Sequence, residues 1–330
     1  MNTWQDIYGH EQIKSDLCDL LKNRKLPHAL LFSGAEGIGK QIVAKVLAKS
    51  LLCKDVDSLE PCGQCSSCNL FDENNHPDFY YLEPEIKSKR TLKIEQIRQM
   101  QTNIALAPYL SDKRVVIIND AQYLNDAAAN SLLKTLEEPV GNVFFILITA
   151  NKDMLLSTIL SRCMKIYFPL LDSLVIKQIL KDKYDIDDEK SQIIAGLANG
   201  SMQKALQFID DDALLLRDKA LEIMTEDFSV RKIWSFLEEY ASVEKNKIED
   251  LFMHLQMLLR DLLIIDFNDD VKLIYNQDKI EQLQNISLKD SKTNILIKLS
   301  LVEDVLKRLN SNADIKLILQ RFILKWQDIK

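Results

Sequence analysis

The sequence predicts an α/β fold in its first half, with a parallel sheet, and an all-helical second half, and three observations carry that expectation. The runs "HALLFSG", "RVVIINDA" and "NVFFILITAN" are short and β-rich, and each is followed by a turn and a segment of helical period, the alternation of a sheet covered on both faces. After the first run comes "GAEGIGKQ", a glycine-rich turn of the kind that leads a strand into a helix facing a phosphate. All seven prolines lie at or before Pro169 and all eight glycines at or before Gly200, so Ser201–Lys330 is a stretch without turn punctuation.

Composition narrows the class. At 330 residues the chain has room for two or three domains with proper cores, and no disulfides are needed to hold it. Neither a secretory leader nor an apolar run long enough to cross a bilayer is visible, so a soluble, cytoplasmic protein is expected, with its six cysteines reduced or bound to metal. A net charge of −7 argues against nucleic-acid binding by the molecule as a whole and points first to protein partners.

Along the chain, "HALLFSG" is the first strand and "QIVAKVLAKSLLC" the helix after the loop. The loop fits GxxxxGK through Gly34, Gly39 and Lys40, with Gly37 between them; its amides would surround phosphates and Lys40 would reach the β and γ oxygens of ATP. Gln41 stands where a Ser or Thr hydroxyl should hold Mg²⁺. Next, "CKDVDSLEPCGQCSSC" sets Cys53, Cys62, Cys65 and Cys68 in two overlapping CxxC steps plus a helix-end thiol, which predicts a closed tetrahedral zinc site of structural character; free thiols or a redox pair are the alternative. His76, eight residues on, belongs to a turn in "NHPD", since four sulfurs already saturate the ion. The basic stretch with Lys87, Lys89, Arg90 and Lys93 lacks interleaved aromatics and reads as a solvated loop and the start of an exposed helix.

If the end of "RVVIINDA" is aligned so that Asn119 takes the Mg²⁺-holding position, a negative charge is lost there and Asp120, with a shorter arm, takes that of the water-activating acid, a second defect for ATP hydrolysis. The helix in "NDAAANSLLKTLEEP" starts at Asn125 or Asp126 and stops near Glu138, because Pro139 disfavours helix in the residue before it; Leu132, Leu133 and Leu136 are at core spacing. A small helical unit around "LANGSMQKAL" follows, and then segments such as "IEDLFMHLQMLLRDLLIIDF", apolar at every third and fourth position.

Taken together, "HALLFSG", the phosphate loop, the four-cysteine insertion, "NHPDF", "DAQYLNDAAANSLLKTLEEP" and "LSRC" closely resemble the bacterial DNA polymerase III clamp-loader subunits of the AAA+ class, their delta-prime branch in particular. The resemblance covers about the first two hundred residues. It implies an AAA+ core over 1–167 with its zinc module at about 53–68, a helical lid over 168–208 and a helical collar domain over 209–330. It further implies a hetero-pentamer with gamma/tau and delta, a sliding clamp and primed DNA as partners, and membership of a complex with DNA-directed DNA polymerase (nucleotidyltransferase) activity. Arg162 of "SRC" matches the family's arginine supplied in trans to a neighbour's ATP site; the bland alternative pairs it with an acid to fix a turn. Gln203 stands where motor subunits carry a lid arginine, and a neutral amide cannot replace that charge-assisted contact. The expectation is a clamp-loading scaffold subunit without ATP turnover of its own, in which ATP binding is possible. Two other readings are a gamma/tau-type motor, opposed by Gln41, Asn119 and Gln203, and a zinc-ribbon DNA-binding protein, opposed by the acidic charge.

Overall fold

The structure, a computed structural model, describes residues 3–55, 59–86, 90–139, 141–209, 211–225, 235, 239–240, 245–267, 273–309 and 314–329. It divides into two compact units, Met1–Val175 with Gly200–Gln203, and Ile176–Asn199 with Lys204–Lys330.

In the first unit, α1 (Glu11–Lys22) precedes β1 (Ala29–Ser33), α2 (Lys40–Leu52) and α3 (Ser66–Asp72). Then come β2 (Phe79–Leu82), the antiparallel pair β3 (Glu85–Ile86) and β4 (Arg90–Thr91), α4 (Ile94–Ile104) and β5 (Arg114–Ile118). The unit continues with α5 (Asp126–Glu137), β6 (Val143–Thr149), α6 (Ser157–Leu160) and β7 (Met164–Tyr167). The main sheet is ordered β2-β5-β6-β1-β7 and every pairing in it is parallel. β1 therefore lies between β6 and β7, and the turns that leave the carboxyl ends of β1, β5 and β6 share one edge, where open parallel sheets bind ligands.

The continuous apolar runs read from the sequence are explained by burial on both faces. Leu30, Phe32, Val115, Ile117, Ile146 and Ile148 join the core that holds Leu17 of α1 and Val43, Leu47 and Leu51 of α2. Their neighbours Leu31, Val116, Ile118, Phe145 and Leu147 join Ile97 and Met100 of α4 and Leu132 and Leu136 of α5. Successive strand residues thus alternate between two cores, the period-2 rule with no solvent face. α5 starts as expected at Asn125, whose side chain accepts the Ala128 N–H at 2.8 Å, and ends at Glu137 before Pro139. Of the basic stretch, Arg90 lies in β4 and Lys93 precedes α4 and pairs with Glu85 at 3.0 Å, while Lys87 and Lys89 lie outside the described residues.

A buried ion pair organises the loop between α4 and β5. Asp78, 1% exposed, accepts the backbone N–H groups of Tyr109, Leu110 and Ser111 at 2.7, 2.7 and 2.9 Å. Arg114, its Nε 3.8 Å from Asp78 Oδ1, donates to the carbonyls of Ile104, Leu106 and Ala107. Burial pushes the Asp78 carboxyl up, but the three N–H donors and His76 outweigh it and hold it below the usual carboxylate range.

The second unit is helical among its described residues. It takes in α7 (Ser173–Tyr184) from Ile176, α8 (Asp188–Leu197), and α9 (Met202–Gln207) from Lys204. α10 (Asp211–Thr225), α11 (Lys245–Phe267), α12 (Ile280–Ser287), α13 (Lys292–Leu309) and α14 (Ile315–Asp328) follow. α11 is the axis of its core: Ile248, Leu251, Phe252, Leu255, Leu258, Leu259 and Leu262 are buried at the three- and four-residue spacing of a helix face. Phe252 meets Phe322 of α14 edge-on, ring centroids 4.7 Å apart. Among the described residues no helix is long and apolar enough to cross a membrane.

Asp78→Asn removes the charged acceptor from three buried amides and leaves Arg114 without its counter-charge. It is expected to lower the free energy of unfolding by about 3–5 kcal/mol, the usual cost of breaking a buried pair, as read by urea denaturation. A loss below about 1 kcal/mol would show that the pair does not hold this loop.

Candidate functional site

β1 and α2 are joined by the glycine-rich turn, and α2 begins at Lys40 with no side-chain cap, because its N-cap is Gly39. The first amides of the helix are left to whatever the loop encloses. Two glycines in this turn serve different ends. Gly39 (φ 95°) has open space where a Cβ would stand, so only its backbone conformation requires glycine. Gly37 (φ 74°) is also a site of close approach: a Cβ there would lie 2.3 Å from Gln203 Cβ and 2.4 Å from Ser201 Oγ. The segment Ser201–Gln203 lies directly on the loop, with Ser201 Oγ donating to the Glu36 carbonyl at 2.9 Å and the Met202 N–H to Gly37 O at 2.9 Å. On the same loop, His10 Nε2 donates to Ile38 O at 2.7 Å, and the His10 ring stands edge-on to Phe168.

Lys40 is buried, and its ammonium donates to Gly34 O at 2.7 Å and to Ala35 O. Desolvation lowers its pKa to about 8 against the opposing pull of Asp120 and Glu36. Gln41 turns to β2, where its amide donates to the Tyr81 hydroxyl. Burial and the nearby Glu83 and Asp120 push that phenol up to about 12, so it remains protonated and neutral. Asn119 follows β5, its N–H bonded to Leu82 O at 2.8 Å, and Asp120 sits in the left-handed region (φ 51°). The Asp120 carboxylate accepts from Asn119 at 3.4 Å and from Gln122 at 3.3 Å. Gln122 in turn accepts from Thr149 Oγ1 at 2.8 Å and from the Ala150 N–H at 3.3 Å, linking the ends of β5 and β6. Tyr81, Gln122, Thr149 and Ser201 were not singled out from sequence; the available signal was a polar residue directly after a buried strand, as in "NDAQ" and "ILITAN".

At the other end of α2, Cys53, Cys62, Cys65 and Cys68 come together with their sulfurs all within 4.8 Å of one another. Regular tetrahedral coordination with Zn–S bonds of about 2.3 Å needs sulfurs about 3.8 Å apart, so the cluster closes on an ion with sub-ångström shifts. Cys65 caps α3, accepting the Cys68 N–H at its sulfur, and the Cys62 N–H points at Cys53 Sγ, both at 3.4 Å. Burial raises the Cys53 and Cys68 thiols, whereas at Cys65 N–H donors from Lys54 and Cys68 outweigh burial and bring the thiol down to about 6. Four sulfurs so close together suit a thiophilic metal ion held in a closed shell. His76 is not part of that shell. Its Nδ1 accepts the Asp78 N–H at 3.1 Å, so Nε2 carries the proton and donates to Ser67 Oγ at 2.8 Å, while Ser67 donates to Leu52 O at 2.5 Å. Trp4 secures the insertion from the other side, its indole N–H on Leu59 O at 3.1 Å.

Arg162 follows α6 and belongs to neither cluster. Its Nη2 lies 2.5 Å from Glu137 Oε1, and its Nη1 donates to Thr158 O at 2.8 Å and to Ser161 Oγ at 3.2 Å. Cys163 beside it is buried in the core of β6, α4 and α5, and among the described residues it lies outside the four-cysteine group.

With this geometry in hand, comparison with known proteins gives consistent relatives. The family model described as "DNA polymerase III, delta subunit" matches residues 9–172. DNA polymerase III subunit delta' of Bacillus subtilis (strain 168) is 30% identical over 318 residues, covering 94% of each chain. DNA polymerase III subunit tau/gamma of Haemophilus influenzae is 33% identical over 222 residues, 66% of this chain and 32% of that protein, so the chain spans about a third of that longer relative. Among solved structures, a DNA polymerase III gamma subunit-related protein from Thermotoga maritima aligns over 94% of this chain and 98% of its own, with 16% identity and a TM-score of 0.47.

The contrast between the two loop glycines is testable. Gly39→Ala is expected to cost about 1–2 kcal/mol, the left-handed backbone strain alone, and Gly37→Ala about 1–3 kcal/mol more, because the added methyl must displace Ser201–Gln203. Urea unfolding of both variants checks the order, and equal losses would mean that the segment does not rest on the loop.

Proposed function

This chain belongs to the DNA polymerase III delta-prime family of clamp-loader subunits, and from that premise we propose that it is a scaffold subunit which turns over no ATP itself and completes a neighbour's ATP site with Arg162. The observation that carries the reading is the Gln41–Tyr81 bond. The position from which a hydroxyl would ligate Mg²⁺ is filled by an amide already engaged with a neutral phenol, and the second metal-holding position is the neutral Asn119. The loop keeps its glycines and Lys40, which supports passive nucleotide binding, but a phosphoryl transfer needs its charge neutralised by a positioned cation. Gln203 on the loop adds no charge where motor subunits carry an arginine.

In this reading the site that matters is on the neighbour. A guanidinium delivered from outside stabilises the charge on the transferring phosphoryl group by about 10³–10⁵-fold in comparable systems, so one arginine on a subunit without turnover controls the rate of its neighbour. Cys53, Cys62, Cys65 and Cys68 hold a zinc ion that braces the insertion and takes no part in chemistry, because a closed S₄ shell leaves no open position. The organisation proposed is a core over 1–167, a lid over 168–208 and a collar over 209–330. The collar joins gamma/tau and delta subunits in a hetero-pentamer that opens a sliding clamp for primed DNA in the cytoplasmic replisome.

A motor subunit of the gamma/tau type is the second reading, favoured by the 33% identity to tau/gamma and by the intact GxxxxGK. Steady-state turnover separates the two. The isolated chain is expected to show no ATP hydrolysis dependent on Lys40, and Arg162→Ala is expected to slow the assembled clamp loader by about 10³-fold at the affected site without dispersing it. Turnover by the isolated chain that Lys40→Ala abolishes would favour the motor; unchanged turnover of the Arg162→Ala assembly would remove the arginine from the mechanism.

Metal analysis provides a separate check. The purified chain is expected to carry about one zinc per molecule, and a thiol reagent that releases it to lower the unfolding temperature of the intact chain, since metal binding free energy is folding free energy. A metal-free chain with the same unfolding temperature would refute the zinc assignment.

A further inference from the structure

Arg162 is half-exposed, yet its guanidinium does not hang free. Glu137 meets it from the end of α5 at 2.5 Å, and Thr158 O and Ser161 Oγ take its Nη1 at 2.8 and 3.2 Å. Ser161 itself donates to Thr158 O at 3.0 Å, so the hydroxyl is already turned with its lone pairs toward the arginine. The supports beneath these groups are buried. Leu132 and Leu136 anchor α5, and Ile159 and Cys163 anchor the turn after α6, all in one core. Glu137 is placed on the rim of that core because Pro139 ends the helix just there.

The ion pair is not needed to form the turn. The Ser161 N–H reaches Ser157 O at 3.0 Å and the Arg162 N–H reaches Ile159 O at 3.1 Å, which closes the turn through backbone alone. Nor is a pair with 33% and 47% of its two side chains exposed a source of much stability. What the contacts do is restrict a long side chain. A guanidinium has five N–H donors in a fixed plane. With both terminal nitrogens engaged by its own chain, the Nε–H, which has no partner among the described residues, is left as part of an edge to offer outward.

We infer that Glu137 is a positioning residue for Arg162: its carboxylate holds the guanidinium in the orientation from which it meets the phosphate of a nucleotide on a neighbouring subunit. The inference rests on the proposed trans role of Arg162. Preorganising an arginine in this way leaves less rotamer freedom to lose when the anion arrives.

The test is steady-state ATP turnover of the assembled clamp loader carrying Glu137→Ala, Glu137→Gln, Arg162→Ala or the double substitution Glu137→Ala with Arg162→Ala. Glu137→Ala is expected to lower kcat about 10-fold, with KM for ATP within about twofold, because misplacing a positioned group costs rate and not ground-state binding. Glu137→Gln, whose amide oxygen still accepts one N–H, is expected to lose less. The double variant is expected to match Arg162→Ala alone, and the isolated Glu137→Ala chain to unfold within about 1 °C of the parent, as befits an exposed pair. If Arg162→Ala slows turnover while Glu137→Ala leaves it unchanged or raises it, the positioning role is overturned and the trans role stands. A further loss from Glu137→Ala in the Arg162→Ala background also overturns it, since Glu137 would then act by another route. Parental turnover in Arg162→Ala removes the trans role itself, and the inference with it.

Discussion

Helix α2 is the constraint on which the rest of the first unit depends. Its 13 residues, about 20 Å at 1.5 Å each, run from the glycine-rich loop to the cysteine cluster, and Val43, Ala44, Leu47, Ala48 and Leu52 along it are buried. Two lysines are buried with them, and each is matched. Lys40 turns to the loop carbonyls at one end, and Lys49, 2% exposed, has both oxygens of Asp72 at 2.8 Å near the other. A buried ammonium without such partners would be costly, so the positions of Asp72 on α3 and of the loop carbonyls are tied to the helix. Loop and cysteine insertion are thus two ends of one rigid element, and the insertion is further held by Ser67, His76 and Trp4.

The same rigidity bears on chemistry. In a loop built to grip Mg²⁺ with ATP, the residue after the lysine and the acid at the end of a later strand share the ion. In the proposed alignment both places, Gln41 and Asn119, are neutral, and Gln41 is engaged by a side-chain bond to Tyr81. The remaining charge near Lys40 comes from Asp120 and Glu36, which favour its protonated form against the desolvation that lowers its pKa. On the proposed reading such a site keeps the architecture of phosphate binding while giving up the means to neutralise a transferring phosphoryl group. In the proposed reading Arg162, placed apart from it on the turn after α6, is the group through which the chain would influence hydrolysis on a neighbour.

The fold was largely legible because periodicity and punctuation report burial directly. β1, β5 and β6 were continuous apolar runs, and the described residues of the stretch without glycine or proline form helices whose core positions recur every three or four residues. β2 and β7 were not singled out: "FYYL" is half-buried at every position, and "MKIY" is largely exposed, as expected of edge strands. The loop and the cysteines were visible because their spacing is local. The Gln41–Tyr81 contact, the Gln122–Thr149 link and the seating of Ser201–Gln203 on Gly37 were not, since each joins residues distant in the chain through single side chains or backbone groups. Arg162 was marked by its motif, but its partner Glu137 belongs to a segment whose leucines are core and whose polar residues look alike in sequence.

The central claim, that this chain completes a neighbour's ATP site while its own lacks a metal shell, is tested most directly by a structure of the assembled clamp loader with a non-hydrolysable ATP analogue and Mg²⁺. The account predicts the Arg162 guanidinium within about 3 Å of a terminal phosphate oxygen on the adjacent subunit, hydrogen-bond distance, and no Mg²⁺ between Gln41 and Asn119. Mg²⁺ held at Gln41 and Asn119 beside a bound triphosphate, with Arg162 far from any neighbour's nucleotide, would contradict it.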